Sequence, residues 1–202
     1  MGTNAVLLDL GNVVLGVDFR RVFDYWSEVS NTPAELFYSR WSLDNAYKDH
    51  EKGLMDFKTY SGHLSEKFHI ELDEDQWLTG WNQLWTKPIK STIALLPIIA
   101  SKYRLYALTN TNRIHADFFK NAYQTELSYF EKIYISNELG LRKPDAECFD
   151  HVCDDVGLPP QEILFLDDTK EHVLGAHKVG IIAQQVTRYI EASQILVARL
   201  DL

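Results

Sequence analysis

The sequence has no apolar run that approaches the roughly 20 residues a membrane-spanning helix needs. Its N-terminus also lacks the basic region and the apolar segment of about 7–15 residues that together mark a signal peptide. We therefore expect a protein that does not bind membranes and that works in the cytoplasm.

Positive charge is also scarce. The chain carries 20 Lys and Arg residues against 29 Asp and Glu, for a formal net charge of −9. Non-specific binding to nucleic acid or to anionic lipid requires a positive field, so we expect no nucleic-acid partner. A small anionic substrate stays compatible with this charge, because a metal ion and a lysine can make one site locally positive.

Cysteine is rare as well. Cys148 and Cys153 lie five residues apart in a predicted helix, a spacing that fits neither a CxxC redox pair nor a zinc ligand pair. We expect both to be reduced residues of the core. None of the seven histidines has metal-ligand spacing to a partner.

The sequence does contain a regular alternation of strand and helix patterns in its second half. Five short runs rich in Val, Ile, Leu and Tyr are predicted to be buried strands: Ala5–Leu10, Arg104–Thr109, Lys132–Ser136, Glu162–Leu166 and Gly180–Val186. Helical patterns fall between them at Ile89–Tyr103, Arg113–Tyr123, Asp145–Val156 and Thr169–Val179. Such alternation predicts an α/β fold with a parallel sheet and helices on both faces.

Residues 16–88 interrupt this alternation with successive helical patterns and no convincing strand. We interpret them as an inserted helical domain, with 1–15 and 89–202 forming the α/β core. Thr32, Pro33 and Glu35 predict one helix start with Thr32 as the cap, and residues 73–76 predict another. An insertion after the first strand lies above the carboxyl ends of the sheet, where it can act as a lid.

Aromatic residues concentrate in the same segment, which holds all five tryptophans. Trp77, Trp81 and Trp85 follow an i, i+4, i+8 spacing, which is more typical of a buried seam than of a stacking wall for a sugar ring. Tyr47, His50 and Glu51 can line the pocket face of this segment, but surface solvation is the default expectation for each.

Polar residues end three of the predicted strands or follow them at once. Asp9 is followed by a turn containing Gly11, and the pair Asp167-Asp168 ends the fourth strand. Thr109 and Asn110 offer a hydroxyl and backbone N–H groups that suit phosphate oxygens, since a helix follows. These strand ends meet at one edge of a parallel sheet.

Lys143 adds a cation just before the next predicted helix. Taken singly, a strand-terminal aspartate is commonly a helix cap and a Lys-Pro pair is usually a surface turn. Four such elements that converge on one sheet edge favour a functional site over four coincidences.

These residues resemble the four motifs of the haloacid dehalogenase superfamily, with Asp9, Thr109, Lys143 and Asp167-Asp168 at the motif positions. The segments 9–13, 109–113 and 140–144 are similar to those of the bacterial alpha-D-glucose-1-phosphate phosphatase branch, which carries a helical cap after the first motif. The resemblance implies a Rossmann-like core and a phosphatase that acts on a small phosphorylated metabolite.

The resemblance also implies a role for each motif residue. Asp9 is the nucleophile that forms an aspartyl-phosphate. Mg²⁺ is held by Asp9, the backbone carbonyl of Gly11 and Asp168. Lys143 neutralises charge on Asp9 and on the phosphoryl group, and Thr109 and Asn110 orient that group. Asp167 has an indirect role, in which it contacts the residues that bind the metal and the substrate.

One position departs from the family pattern. Many members have a second aspartate two residues after the nucleophile, and this chain has Gly11 there. General acid–base catalysis is worth about 10²–10⁴-fold, so another group must protonate the leaving oxygen, or the substrate must need little protonation. Asp18 is a candidate for that role, although it can equally cap a helix that begins near Phe19.

Two other functions stay open. Carbon–halogen hydrolysis of a 2-haloacid uses an equivalent aspartate without a metal, but the Asp167-Asp168 pair suits a metal. A phosphate-binding or regulatory module without turnover is the second alternative, given Gly11. The physiological substrate and the oligomeric state are not predicted.

Overall fold

A computed structural model describes residues 2–189 and 191–202. These residues contain seven strands, which we number along the chain: β1 Ala5–Leu8, β2 Leu15–Val17, β3 Trp85–Pro88, β4 Arg104–Thr109, β5 Lys132–Ile135, β6 Ile163–Asp167 and β7 Ile182–Gln185. Five of them form one parallel sheet in the order β5-β4-β1-β6-β7. The predicted Rossmann-like α/β core is therefore confirmed.

Strand β1 lies at the centre of the sheet and is completely buried. Its residue Leu8 pairs with Ala107 of β4 and with Leu166 of β6. The backbone N–H of Asp9 donates to the carbonyl of Leu166 at 2.9 Å. This register brings the end of β1 beside the end of β6, and so sets Asp9 beside the carboxylates that follow Leu166.

Helices cover the sheet on both faces, in agreement with the prediction. After the helical segment they are α6 Lys90–Ile93, α7 Leu96–Lys102, α8 Arg113–Ala122, α9 Gln124–Leu127, α10 Ser136–Leu139, α11 Ala146–Val156, α12 Lys170–Lys178 and α13 Glu191–Arg199. The prediction of one helix over Ile89–Tyr103 is wrong, because α6 ends at Ile93 and α7 begins at Leu96, one residue before Pro97. A proline ring clashes with the carbonyl four residues earlier, which here belongs to Ile93, the last residue of α6.

Five helices fill the segment between β2 and β3: α1 Phe19–Ser30, α2 Ala34–Arg40, α3 Asn45–Glu51, α4 Phe57–Phe68 and α5 Glu74–Asn82. Strands β2 and β3 form an antiparallel pair in which Leu15 faces Pro88. The chain thus enters and leaves the helical segment side by side. The expectation of no strand within 16–88 is wrong at both ends, since strands of three and four residues are too short to show a period-2 pattern.

The two predicted helix starts have different outcomes. Asp73 caps α5 in a full capping box with Gln76, as predicted. Thr32 does not cap α2, which begins at Ala34 after Pro33. Thr32 instead helps to end α1, because Asn31 takes a left-handed conformation and the N–H of Thr32 donates to Ser27 at 3.1 Å.

The tryptophans form the packed centre of the helical segment. The rings of Trp26 and Trp81 stack at 5.8 Å between centroids, and Trp77 meets Trp26 edge-on at 4.8 Å. All three are buried, in agreement with the interpretation as a buried seam. Trp85 is buried too, but it lies in β3, whereas Trp77 and Trp81 lie on α5.

Both cysteines are buried and free, as predicted. They pack on α11 against the sheet. Within the residues that the structure describes, no helix is long and apolar enough to cross a membrane.

A pair of Gly→Ala substitutions tests the seam. A Cβ at Gly80 of α5 would overlap the side chains of Trp26 and Tyr25, whereas one at Gly62 of α4 meets nothing within 4 Å. We expect Gly80→Ala to lower the free energy of unfolding by about 1–3 kcal/mol through overpacking. Gly62→Ala should raise it by roughly 0.5–1 kcal/mol through helix propensity. Urea unfolding measures both, and equal changes of the same sign would contradict the packing described here.

Candidate active site

The side chain of Lys143 is the centre of the site at the carboxyl edge of the sheet. It is fully buried, and its Nζ lies 2.6 Å from Asp9 Oδ1 and 2.6 Å from Asp167 Oδ2. A third bond goes to the carbonyl of Leu108 at 2.7 Å. All three ammonium protons therefore have acceptors, and Lys143 joins the ends of β1, β4 and β6.

Lys143 and Asp167 each keep the other in its charged form. Burial lowers the pKa of Lys143, but the carboxylates of Asp167 and Asp9 outweigh burial and the net pKa is raised. Burial likewise raises the pKa of Asp167, but the charge of Lys143 and the bond to His172 lower it to about 2. Lys143 and Asp167 are thus a buried cation and a buried anion.

Asp9 differs from Asp167 in its electrostatics. Burial raises its pKa well above the ordinary value, Lys143 opposes this shift, and the charges of Asp167 and Asp168 add to it. Its Oδ2 points toward Gly11, where a Cβ would lie 3.5 Å away. This carboxyl group is short of positive charge, which a bound cation would supply.

Asp9, Asp167 and Asp168 can each offer an oxygen, and those oxygens lie within 4.8 Å of one another. Asp167 is already occupied, since its Oδ1 accepts from the N–H of Thr169 at 2.8 Å and its Oδ2 contacts Lys143. Asp168 is only half-buried and is held by the side chain of Asn12 at 3.0 Å. Oxygen-only donors suit a hard cation such as Mg²⁺, and Asp9 and Asp168 are the carboxylates with room for it.

The predicted phosphate-binding residues lie close by, at the end of β4. Thr109 is buried at the edge of a cavity that it lines together with Asp9 and Asp168. The side chain of Asn110 has a different task from the one predicted for its backbone. Its Nδ2 donates to the carbonyl of Lys143 at 2.9 Å and its Oδ1 accepts from the N–H of Lys143 at 2.9 Å. Asn110 therefore clamps the loop that carries Lys143.

Asp18 caps α1, the second of its two predicted roles. Its carboxylate accepts from the backbone N–H of Arg20 at 3.0 Å and from the guanidinium of Arg20 at 2.8 Å. These hydrogen bonds lower its pKa, so the group is ionised and poorly suited to protonate a leaving oxygen. Asp18 still lines the cavity, at the point where the chain enters the helical segment.

His172 is a site residue that the sequence analysis did not identify. Its Nδ1 lies 3.0 Å from Asp167 Oδ1 and its Nε2 lies 3.4 Å from Asn110 Nδ2. The sequence signal that could have identified it is a histidine four residues after the Asp167-Asp168 pair, in the first turn of the next helix. Asn12 was also missed as a site residue, although its positive φ of 56 marks a tight turn beside Asp168.

The expected surface position of Tyr47, His50 and Glu51 is wrong, because all three are buried. They lie on α3, whose end contacts the core: the carbonyl of Glu51 accepts from Ser136 Oγ at 2.7 Å. A helix that packs against a second body has no solvated face there, and the sequence of α3 alone does not show that contact. Tyr47 and Glu51 line the cavity, and His50 does not.

The cavity has a volume of about 350 Å³ and lies between the sheet edge and the helical segment. His115 anchors the two sides next to it, since its Nε2 lies 2.9 Å from the carbonyl of Trp81 and its ring stacks on that indole at 4.8 Å. Burial lowers the pKa of His115 to about 3, so it is neutral and donates to Trp81 from Nε2. The cavity therefore has polar residues at the sheet edge on one side and the helical segment on the other.

Residues 3–180 match the haloacid dehalogenase-like hydrolase family, and the chain belongs to that family. The predicted family and fold are thus confirmed. The predicted enzyme class, a phosphoric monoester hydrolase of this family, is supported by the names of its relatives.

Among those relatives, D-ribitol-5-phosphate phosphatase of Bacteroides thetaiotaomicron is 23% identical over 184 residues, which cover 87% of each chain. A solved structure of a HAD family enzyme from Bacteroides thetaiotaomicron, in complex with magnesium and inorganic phosphate, is 28% identical. It matches with a TM-score of 0.80 over 91% of this chain and 94% of that one. L-2-haloacid dehalogenase from Xanthobacter autotrophicus shares the fold, with a TM-score of 0.68 and 21% identity over 92% of this chain and 78% of that one.

Two Lys→Met substitutions test the central ion pairs. Lys143→Met leaves Asp9 and Asp167 buried without a counter-charge, and we expect it to lower the free energy of unfolding by roughly 3–5 kcal/mol. The control is Lys120→Met, whose Nζ contacts Glu138 at 2.6 Å on the surface. That exposed pair should contribute less than about 1 kcal/mol. Similar urea midpoints for the two variants would contradict the central role of Lys143.

Proposed function

We propose that this protein is a magnesium-dependent phosphatase that hydrolyses a small phosphorylated metabolite through an aspartyl-phosphate at Asp9. The observation that carries the proposal is the buried Lys143 between Asp9 and Asp167, with Asp168 at the same edge of the cavity. A nucleophilic carboxylate, a fixed cation and a half-buried second carboxylate are what phosphoryl transfer to an aspartate requires.

The residues suited to hold Mg²⁺ are Asp9, Asp168 and the backbone carbonyl of Gly11. They offer oxygen atoms only, which suits an ion that would take its remaining ligands from water and substrate. When bound, the ion neutralises charge on the phosphoryl oxygens and on the crowded carboxylates. The relative solved with magnesium and inorganic phosphate supports this assignment.

In the first step a carboxylate oxygen of Asp9 forms a bond to phosphorus, and the bond from phosphorus to the leaving oxygen breaks. The leaving oxygen takes up a proton and departs as an alcohol. In the second step water attacks the phosphorus of the aspartyl-phosphate and restores Asp9, with release of inorganic phosphate and a proton. Lys143 offsets negative charge through both steps, and the hydroxyl of Thr109 and the backbone at Asn110 orient the phosphoryl group.

The proposed substrate class is a sugar or polyol monophosphate. The relative named D-ribitol-5-phosphate phosphatase supports this class, and the cavity of about 350 Å³ suits a molecule of that size. Residues 16–88 act as the lid in this proposal. They cover the cavity from above, so that the reacting groups are shielded from bulk water.

A phosphate-release screen tests the proposed function. It covers sugar phosphates, nucleotides and acetyl phosphate, with and without Mg²⁺, and it includes halide release from a 2-haloacid. We expect magnesium-dependent phosphate release from the native protein and none from Asp9→Asn. That variant should nearly keep its thermal midpoint, because the amide has the shape of the carboxylate and Lys143 still has Asp167 as its counter-charge. Halide release, or phosphate release that Asp9→Asn retains, would contradict the proposal.

Because Gly11 has no carboxyl group to act as a general acid, we expect the enzyme to prefer substrates with an acidic leaving group. An anomeric hydroxyl is more acidic than a primary one, so its oxygen departs with less help from a general acid. Without an aspartate at position 11, we expect sugar 1-phosphates to have a higher kcat/KM than the matching 6-phosphates.

Gly11→Asp tests this explanation, because a Cβ at position 11 meets only ordinary contacts, with Asp9 Oδ2 at 3.5 Å and Val17 Cγ2 at 3.7 Å. The new carboxyl group should act as the general acid and narrow the gap between 1-phosphate and 6-phosphate. The measurement is kcat/KM for both sugar phosphates in both proteins. A native preference for 6-phosphates, or a wider gap in the variant, would show that the leaving-group explanation is wrong.

A further inference from the structure

A second buried ion pair joins the core to the helical segment at the cavity. Arg142 donates to Glu51 Oε2 from Nε at 3.1 Å and from Nη2 at 2.8 Å. The side chains are only 12% and 5% exposed, and both line the cavity. Arg142 comes from the loop that holds Lys143, whereas Glu51 ends α3, so the pair forms a wall of the cavity to which both the core and the helical segment contribute.

Several contacts fix the position of this pair. The backbone carbonyl of Glu51 accepts from Ser136 Oγ at 2.7 Å, and Ser136 Oγ in turn accepts from the N–H of Thr111 at 2.8 Å. Tyr47 lies beside Glu51, and burial followed by the charge of Glu51 raises its pKa far above the ordinary value. The pair is therefore rigid before any ligand enters.

A buried ion pair contributes little to stability on its own, because its desolvation cost can exceed its Coulomb energy. Its position in the cavity points to a role in binding. Among the hydrogen bonds of the described residues, Arg142 uses Nε and Nη2 and leaves Nη1 without an acceptor. This wall thus has donor hydrogens on Arg142 Nη1 that no described residue accepts, and it has the carboxylate of Glu51 as an acceptor.

The charge of the pair selects the chemistry of the ligand. Glu51 cancels the charge of Arg142, so the wall is not suited to a second phosphate or a carboxylate. A neutral group that both donates and accepts fits it, and a hydroxyl does both. The cavity is also lined by Phe19, Leu43 and Trp85, which offer apolar surface to carbon atoms.

We propose that Arg142 and Glu51 bind hydroxyl groups of the substrate's leaving group, which makes this enzyme selective for polyhydroxylated monophosphates over phosphates of apolar alcohols. The inference rests on the proposed phosphatase activity and adds the residues that recognise the alcohol. An apolar leaving group would leave the guanidinium donors without partners in a closed site, and such sites discriminate strongly.

The test compares ribitol 5-phosphate with pentyl phosphate, which has the same number of carbons and no free hydroxyl. In the native enzyme we expect kcat/KM to favour ribitol 5-phosphate by about 10²-fold or more. Arg142→Met should lower kcat/KM for ribitol 5-phosphate by roughly 10–100-fold, the effect of one lost hydrogen bond to a charged donor. The value for pentyl phosphate should stay within about threefold, since it makes no such bond.

Arg104→Met is the matched control, because Arg104 also pairs with a glutamate, Glu131 at 3.3 Å, but lies outside the cavity. This variant should leave kcat/KM unchanged for both substrates. Glu51→Gln is a second variant that keeps the side-chain shape, and it should lower kcat/KM for ribitol 5-phosphate more than for pentyl phosphate. Equal losses for both substrates in Arg142→Met and Glu51→Gln would reduce the pair to a support for Lys143 and overturn the inference.

Acetyl phosphate separates this inference from the proposed function. If the native enzyme hydrolyses none of the three compounds with Mg²⁺, the phosphatase proposal fails and the inference fails with it. If it hydrolyses acetyl phosphate but does not favour ribitol 5-phosphate over pentyl phosphate, only the inference on Arg142 and Glu51 is overturned.

Discussion

The ammonium group of Lys143 is the charge on which the site depends. Three carboxylates converge at one sheet edge because the parallel register sets the ends of β1 and β6 side by side. Without a cation between them, Asp9 and Asp167 would repel each other in a region from which water is excluded. Lys143 satisfies both, and its third bond to Leu108 ties the arrangement to β4.

The two carboxyl groups that contact Lys143 have pKa values shifted in opposite directions. Asp167 is ionised and bound by Lys143, Thr169 and His172, so it serves as a fixed anion. Asp9 has one oxygen on Lys143 and a raised pKa, so it is the carboxyl group that gains from a further cation. This difference supports the proposed division of labour, with Asp9 reacting and Asp167 holding Lys143 in place.

The helical segment contributes the other half of the cavity. Its tryptophans pack together at its centre, and its hydrogen bonds to the core at the cavity include His115 to Trp81, Ser136 to Glu51, and Arg142 to Glu51. Two of these three contacts involve Glu51. The same residue that joins the segment to the core therefore lines the space where we place the leaving group.

The sheet and the converging motif residues could be predicted from sequence, because parallel strands end at one edge and polar residues at strand ends stand out from an apolar background. Contacts that depend on side-chain direction could not. The Asn110 clamp, the bond from His172 to Asp167 and the burial of Glu51 all require the register and the packing of distant segments. Local patterns also failed where a neighbour decided the outcome, as with Thr32, which ends α1, and Pro97, which splits a helix.

Covalent chemistry at Asp9 is the central claim, and rapid-quench mass spectrometry during turnover tests it most directly. The native protein is mixed with Mg²⁺ and acetyl phosphate, quenched in acid within the first turnovers and digested. The account predicts a phosphoryl group on Asp9, in the peptide that contains it, and its absence in Asp9→Asn. Phosphate release by the native protein without this adduct and at a rate that Asp9→Asn retains, or a phosphoryl group on another residue, would contradict it.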